Sequence, residues 1–149
     1  MTDETRFVSA ERIIAAPATE IFELIADPAQ QPRWDGNDNL AEAAPGQRVR
    51  HPGDVFTMRL TTGGERENRV VEFEEGRRIA WLPTPPGEDP PGHLWRWELE
   101  PLDGGGTRVR HSYDWTALHD PKREARARST TAENLRSSID RLAELAERG

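Results

Sequence analysis

The sequence predicts an α+β fold in which a curved antiparallel β-sheet of about six or seven strands surrounds one long C-terminal α-helix, with two short helices after the first strand. Residues 55–115 alternate between apolar and polar side chains with the period of β-strands. Apolar stripes with helical spacing follow Pro17 and, further along, Pro121. The 149 residues contain no repeat and no long linker, so we expect a single domain over residues 1–149.

Charge and composition exclude several classes of function. The chain has 27 acidic and 20 basic residues and a net charge of −7, whereas a nucleic-acid partner needs a basic face. The Arg-rich run at residues 122–128 is therefore interpreted as a solvated helix face. The chain has no cysteine, which excludes disulfides, thiolate metal sites and a cysteine nucleophile.

The sequence has no feature of a membrane-inserted or secreted protein. No apolar run approaches the roughly 20 residues of a membrane-spanning helix, and the first residues, MTDETRF, lack the apolar stretch of a signal peptide. The acidic net charge also argues against docking on anionic lipid. We therefore expect a cytoplasmic protein without membrane insertion.

The N-terminal third predicts one strand, two short helical segments and a weak second strand. Residues 5–15 have the pattern of a first strand. Pro17 then opens a helix, because a proline in the first turn gives up no hydrogen bond, and residues 27–28 (Asp-Pro) end it. A short helical turn is predicted at residues 30–34 and a weak strand near residues 40–44.

The central strands are predicted to direct one set of side chains towards the covering helix. Successive side chains of a strand point to opposite faces. On this basis the inner face would carry Phe56, Met58, Arg69, Val71, Phe73, Ile79 and Trp81. The proline-rich residues 83–91 are expected to form a rigid loop, because proline cannot join a central ladder.

The last two strands predict their own register. If Trp97 lies opposite His111, the ring side chains of both strands share one face of the hairpin. On the second face, glutamates of the first strand then lie across from arginines of the next. The pairs are then Trp95 with Tyr113, His93 with Trp115, Leu99 with Val109, Glu98 with Arg110, and Glu100 with Arg108. Opposite charges directly across a pair are favourable by a few tenths of a kcal/mol. A slip of one residue would disrupt both faces.

The C-terminal helix, predicted from Pro121 onward, is expected to cover this inner face with Leu135, Ile139, Leu142 and Leu145. Ligand pockets are mostly apolar with a few placed polar groups, and the inner face has this mixture. The candidate ligand-binding residues are Phe56, Met58, Arg69, Val71, Trp81, His93, Trp95, Trp97, His111, Tyr113, Trp115, Leu135 and Ile139.

Each polar or aromatic candidate has more than one interpretation. The tryptophans either line a pocket or fill the core. His93 and His111 are a general acid/base, a pair of metal ligands, or histidines satisfied at the sheet face. No pair of histidines has the spacing of a metal motif, so no metal and no cofactor are predicted. Arg69 either anchors a carboxylate or phenolate or extends from the sheet edge to water.

Five stretches carry a resemblance to a known family. They are IAAPATEIF at residues 14–22, WD at 34–35, VVEFEEGRRIAW at 70–81, WRWEL at 95–99 and GTRV at 106–109. With these stretches in this order, the sequence resembles the START-like SRPBCC superfamily of polyketide cyclase/dehydrase and lipid-transport proteins. The resemblance implies a helix-grip fold. It extends to lipid carriers, aromatic polyketide cyclases and hormone receptors, so it assigns no single function.

Three hypotheses for function follow. In the first, the protein binds a hydrophobic or aromatic small molecule, lipid or polyketide-like, without chemistry. In the second, it is a polyketide cyclase/dehydrase-type enzyme that moves protons with His93, His111, Tyr113 or Arg69. In the third, it is a non-catalytic interaction module. A monomer or a homodimer is compatible with the sequence, and convergence of those four side chains on one cavity separates the first two hypotheses.

Overall fold

Seven strands and four α-helices make up residues 5–148, the part of the chain that the computed structural model describes. The strands are β1 (Phe7–Ile14), β2 (Leu40–Glu42), β3 (Val55–Leu60), β4 (Glu65–Glu74), β5 (Arg78–Thr84), β6 (Leu94–Pro101) and β7 (Thr107–Asp114). The helices are α1 (Ala18–Ala26), α2 (Gln31–Trp34), α3 (Pro121–Arg128) and α4 (Ala132–Arg148). A single 3-10 turn, Pro28–Gln30, joins α1 to α2. The predicted fold class is confirmed.

All seven strands form one antiparallel sheet in the order β1-β7-β6-β5-β4-β3-β2. The N-terminal strand therefore pairs with the last strand, and the short β2 forms the other edge. The sheet curls around α4, as in a helix grip. None of the helices in residues 5–148 combines the length and the apolar composition that a bilayer crossing requires.

The predicted register of the last hairpin is confirmed within the ladder. Trp97 lies opposite His111, and the four other pairs between β6 and β7 follow the prediction. His93 precedes β6 and Trp115 follows β7, so this pair lies outside the ladder. The ion pairs differ from the predicted cross-strand charge pairs in one respect. Arg110 lies opposite Glu98 but forms its ion pair with Glu11 of β1, at 3.0 Å.

The predicted inner face of β4 is wrong at Arg69 and Val71. A β-bulge between Val70 and Glu72 inserts one extra residue opposite β5. Because side chains alternate along a strand, one extra residue exchanges the faces on either side of it. Arg69 and Val71 are therefore exposed, whereas Asn68 and Val70 are buried. Strict alternation backward from Phe73 does not include this bulge and therefore places Arg69 and Val71 on the wrong face.

β5 extends further than predicted and includes Pro83. It pairs with β6 only as far as Trp81, opposite Trp95, and then continues along β4 to Thr84. A proline is tolerated there, because the strand has a free edge on the β6 side. The rigid loop expected at residues 83–91 thus begins two residues later.

The single long C-terminal helix of the prediction is divided into α3 and α4 at residues 129–131. The hydroxyl of Ser129 donates to the carbonyl of Arg126 at 2.6 Å. The N–H of Thr131 donates to Asn134 Oδ1 at 2.8 Å, and the N–H of Asn134 donates to Thr131 Oγ1 at 3.3 Å. Such reciprocal bonds start a new helix, and hydroxyl side chains compete with the helical backbone for hydrogen bonds.

The packed core lies between the sheet, α1 and the C-terminal half of α4. Ile139, Leu142 and Ala143 of α4 are buried in one cluster with Ile21 and Phe22 of α1. Each large side chain buried in this way stabilises the fold by about 1.5–3 kcal/mol. This half of α4 is thereby packed against the sheet, whereas its first turns border a cavity.

Candidate functional site

A cavity of about 640 Å³ lies between the concave face of the sheet and the helical segments that cover it. Its walls come from β3 to β7, α2 with the turn that follows, α3 and the first turns of α4. Its volume lies within the range of about 300–1,000 Å³ that is typical of small-molecule sites.

Aromatic rings form one wall of the cavity because β6 and β7 present alternate residues to it. His111 is stacked between Trp97, at 3.8 Å between ring centroids, and Trp95, at 5.4 Å. Tyr113 lies 4.3 Å from Trp95. Trp34 meets Trp97 edge-on at 5.1 Å. Such ring pairs stabilise the fold in addition to the effect of their buried area. The rings therefore hold this arrangement without a ligand.

Most of the predicted site residues border the cavity. They are Met58, Trp81, His93, Trp95, Trp97, His111, Tyr113 and Leu135. Phe56, Trp115 and Ile139 are instead buried in the adjacent packed core. Arg69 and Val71 face outward, for the reason given by the bulge in β4.

Trp115 packs beneath α3 and not along the cavity. The guanidinium of Arg6 lies 4.6 Å from its ring and that of Arg128 lies 5.5 Å from it. Both distances are within the range of cation–π contacts. Its indole therefore connects the N-terminal segment to the end of α3.

His111 is held as a neutral acceptor. Its Nδ1 lies 3.0 Å from the carbonyl oxygen of Arg96, and because a carbonyl only accepts, Nδ1 carries the proton. Burial lowers the pKa of His111 from 6.5 to about 4. The ring is therefore uncharged at neutral pH, and Nε2 keeps its lone pair.

Two buried polar atoms of the cavity lining have no hydrogen-bond partner among the described residues. They are Nδ1 of His93 and Nε1 of Trp97. Burial, together with three nearby arginines, lowers the pKa of His93 to about 4. A buried polar atom without a partner costs about 1–3 kcal/mol. Both atoms are enclosed by the surrounding side chains and expose almost no surface to the cavity.

Tyr113 adds a protonated hydroxyl to the same wall, because burial raises its pKa to about 12. Within residues 5–148, His, Asp and Glu side chains do not form a group of three that would hold a metal ion. The cavity lining thus combines neutral rings, amide and hydroxyl side chains such as Asn68 and Ser138, and the cations described next.

The basic residues of the cavity are not among the predicted site residues. Arg66 of β4 and Lys122, Arg123 and Arg126 of α3 line it; together they are called the basic rim. Arg66 lies directly opposite Met58 in the ladder, and placing the bulge correctly would have put it on the inner face. For residues 122–128 of α3 the sequence predicts a solvated helix face, because no neighbouring residue in the sequence indicates the cavity beside them.

Turn residues at the α2 end are also part of the lining. Trp34 is positioned by a 2.7 Å bond from its Nε1 to the carbonyl of Leu24. The carboxylate of Asp35 accepts the N–H groups of Asn39 at 2.6 Å and Leu40 at 2.8 Å. Asp35 therefore stabilises the turn between α2 and β2.

Comparison with protein families and curated proteins finds relatives along the chain. The family model described as polyketide cyclase / dehydrase and lipid transport matches residues 6–147. An uncharacterized protein of Mycobacterium tuberculosis, Rv0088, is 30% identical over 115 residues, which are 74% of this chain and 48% of that protein. The chain thus spans about half the length of this curated relative.

Solved structures share the architecture. Protein NE0264 from Nitrosomonas europaea aligns with a TM-score of 0.70 at 18% identity, over 99% of this chain and 97% of its own. DynU16, a protein in the dynemicin biosynthetic locus, aligns with a TM-score of 0.66 at 17% identity, over 97% of this chain and 48% of its own. At these identities the likeness shows the fold alone.

Proposed function

The chain belongs to the polyketide cyclase / dehydrase and lipid transport family, and from this premise we propose that it binds a hydrophobic or aromatic small molecule, lipid or polyketide-like, in the cavity beside the first turns of α4. One observation carries the proposal. A cavity of about 640 Å³ is lined by four tryptophans and Tyr113.

The lining suits an apolar molecule that carries a few oxygen atoms. Apolar surface moved from water to this wall contributes about 25 cal/mol per Å². The hydroxyl of Tyr113 is a donor for a carbonyl oxygen, and Nε2 of His111 is an acceptor for a hydroxyl. Rings give most of the affinity in this arrangement, and the polar atoms set the orientation.

Proton transfer is a second candidate function, because His93, His111 and Tyr113 all line the same cavity. Arg69 cannot take part in this reaction, because its side chain lies on the outer face of the sheet, away from the cavity. A cyclase/dehydrase-type reaction needs a base whose pKa lies near the working pH. The pKa of each histidine is lowered to about 4, which makes both weak bases. Binding is therefore the better supported function.

Titration with the neutral fluorophore N-phenyl-1-naphthylamine tests the binding proposal. We expect saturable fluorescence enhancement in the purified protein and a higher Tm with the probe present. Leu60→Trp narrows the cavity, since Leu60 is half-buried and lines it, and should weaken binding at least about tenfold. Val55→Trp, at an exposed position of the same strand, is the matched control and should bind like the parent protein. Absence of enhancement in the parent, or equal binding by all three proteins, would overturn the proposal.

A further inference from the structure

The basic rim opposes the charge of the rest of the chain. Four cations line one side of the cavity in a protein whose net charge is −7. Among residues 5–148, Asp35 is the one acidic residue of the lining, and its carboxylate is engaged by backbone N–H groups of its own turn. Within this described part of the chain, the cavity therefore has a positive side without a matching acid on its wall.

The fold brings these cations together from distant parts of the chain. Arg66 points inward because it lies opposite the buried Met58 in the ladder between β3 and β4. α3 begins after Asp120, whose carboxylate caps the N–H of Lys122 at 3.1 Å, and this start positions the first turns of the helix beside the cavity. Strand and helix thus contribute cations to the same space.

The cations are close enough to repel one another. The pKa of Arg66 is lowered by burial and by the charges of Arg123 and Arg126, against which Glu88 acts from a neighbouring loop. Asp120 pairs with Arg123 at 3.1 Å, and Arg66 donates to the backbone carbonyl of Glu65 at 2.8 Å. Asp120 does not line the cavity and a backbone carbonyl carries no full charge, so an anionic group bound beside the arginines relieves their repulsion.

We propose that the molecule bound in this cavity is an amphiphile with one anionic group, a carboxylate or a phosphate. Its apolar body lies against Trp81 and Trp95, and its anion is held by Arg66, Arg123 and Arg126. Guanidinium groups suit this role, because their planar forks match the oxygens of such anions. This inference rests on the proposed function and names the class of its ligand.

A matched pair of probes tests the inference. 8-Anilino-1-naphthalenesulfonate carries the ring system of N-phenyl-1-naphthylamine plus a sulfonate. We expect Arg66→Gln to weaken binding of the anionic probe about tenfold and to leave the neutral probe within about twofold. Arg69→Gln, three residues along the same strand but exposed, should leave both affinities unchanged. Arg126→Gln, at an exposed position of the rim, should repeat the selective loss if Arg66→Gln does not fold.

Displacement of the neutral probe distinguishes the anions. Dodecanoate and dodecyl phosphate should each displace it at lower concentrations than dodecan-1-ol does, and the more effective of the two identifies the head group. In Arg66→Gln, the two anions should displace the neutral probe no better than dodecan-1-ol does.

The outcomes separate the two proposals. If the parent protein binds the neutral probe but the rim variants leave the affinity for the anionic probe unchanged, the anion inference is wrong and the binding function stands. Equal losses of the anionic probe in Arg66→Gln and Arg69→Gln would also overturn it, because they indicate a surface effect. If the parent binds neither probe, both proposals are wrong.

Discussion

The indole of Trp97 lies parallel to the imidazole of His111, with ring centroids 3.8 Å apart and an angle of 13° between the ring planes. The two residues are direct partners in the ladder between β6 and β7. The other side of the imidazole faces Trp95, and its Nδ1–H donates to the carbonyl of Arg96. The ring is thus held neutral against two indoles, so a proton added to it places a charge in a largely buried site.

The first prediction concerns stability against pH. The pKa of His111 is lowered from 6.5 to about 4 in the folded protein, so between these values the unfolded chain binds a proton that the folded protein does not. The stability from a neutral His111 is complete above pH 6.5 and is lost as the pH falls towards 4. We expect the free energy of unfolding to drop by about 2 kcal/mol from this residue between pH 7 and pH 5.

Urea denaturation at each pH, followed by tryptophan fluorescence, measures this loss. His111→Gln keeps a donor for the Arg96 carbonyl but does not titrate, so its stability should fall less steeply over the same range. Parallel curves for the two proteins would show that His111 does not cause the acid sensitivity.

The second prediction concerns the contact between Gly36 and α4. A Cβ atom at Gly36 would lie 2.6 Å from the backbone carbon of Ser137, and the N–H of Gly36 donates to Ser138 Oγ at 3.1 Å. Backbone atoms of a helix cannot move aside cheaply, so Gly36→Ala should reduce stability by about 2 kcal/mol. Gly64→Ala is the control, because its nearest neighbour would be a side-chain atom at 3.8 Å. Equal urea midpoints for the two variants would contradict the close approach.

The third prediction concerns an ion pair on the outer face of the sheet. Arg96 of β6 donates to Glu72 of β4 through Nε at 2.9 Å and Nη2 at 2.5 Å. The pair passes over Ala80 of β5, which lies between them in the ladder. Arg96 lowers the pKa of the Glu72 carboxyl.

A double-mutant cycle with Glu72→Gln and Arg96→Gln should give a coupling of about 1 kcal/mol, since the pair is two-pronged but partly exposed. The coupling should shrink in 1 M NaCl. A coupling that is zero at low salt would show that the bridge contributes nothing to stability.

The fourth prediction concerns the joint between α3 and α4. Thr131 and Asn134 exchange hydrogen bonds at the start of α4, and Asn134 also donates to Asn37 Oδ1 at 3.2 Å. Thr131→Val removes the hydroxyl while keeping the shape, and should cost about 1 kcal/mol. Amide hydrogen exchange should accelerate in the first turn of α4. Thr116→Val, which removes a hydroxyl bonded to Asp114 in an exposed turn, is the control and should leave α4 exchange unchanged.

Local patterns predicted the elements whose neighbours lie close in sequence. The β6–β7 register followed from ring and charge partners on two strands joined by a short turn, because a slip of one residue would disturb both faces at once. The α1 start at Pro17 likewise depends on a few adjacent residues. The resemblance along the chain led to the same fold class.

The remaining features depend on contacts that alternation and spacing do not encode. The bulge at Val71 turns Arg69 outward and Arg66 inward, and it is detected only through the pairing of β4 with β5. Whether a tryptophan fills core or borders a cavity depends on how far α4 lies from the sheet. The sequence therefore sufficed for the helix grip and for the ring-lined face of its last hairpin. The basic rim required the folded chain, because a strand and a helix more than fifty residues apart meet there only after the sheet has curled around α4.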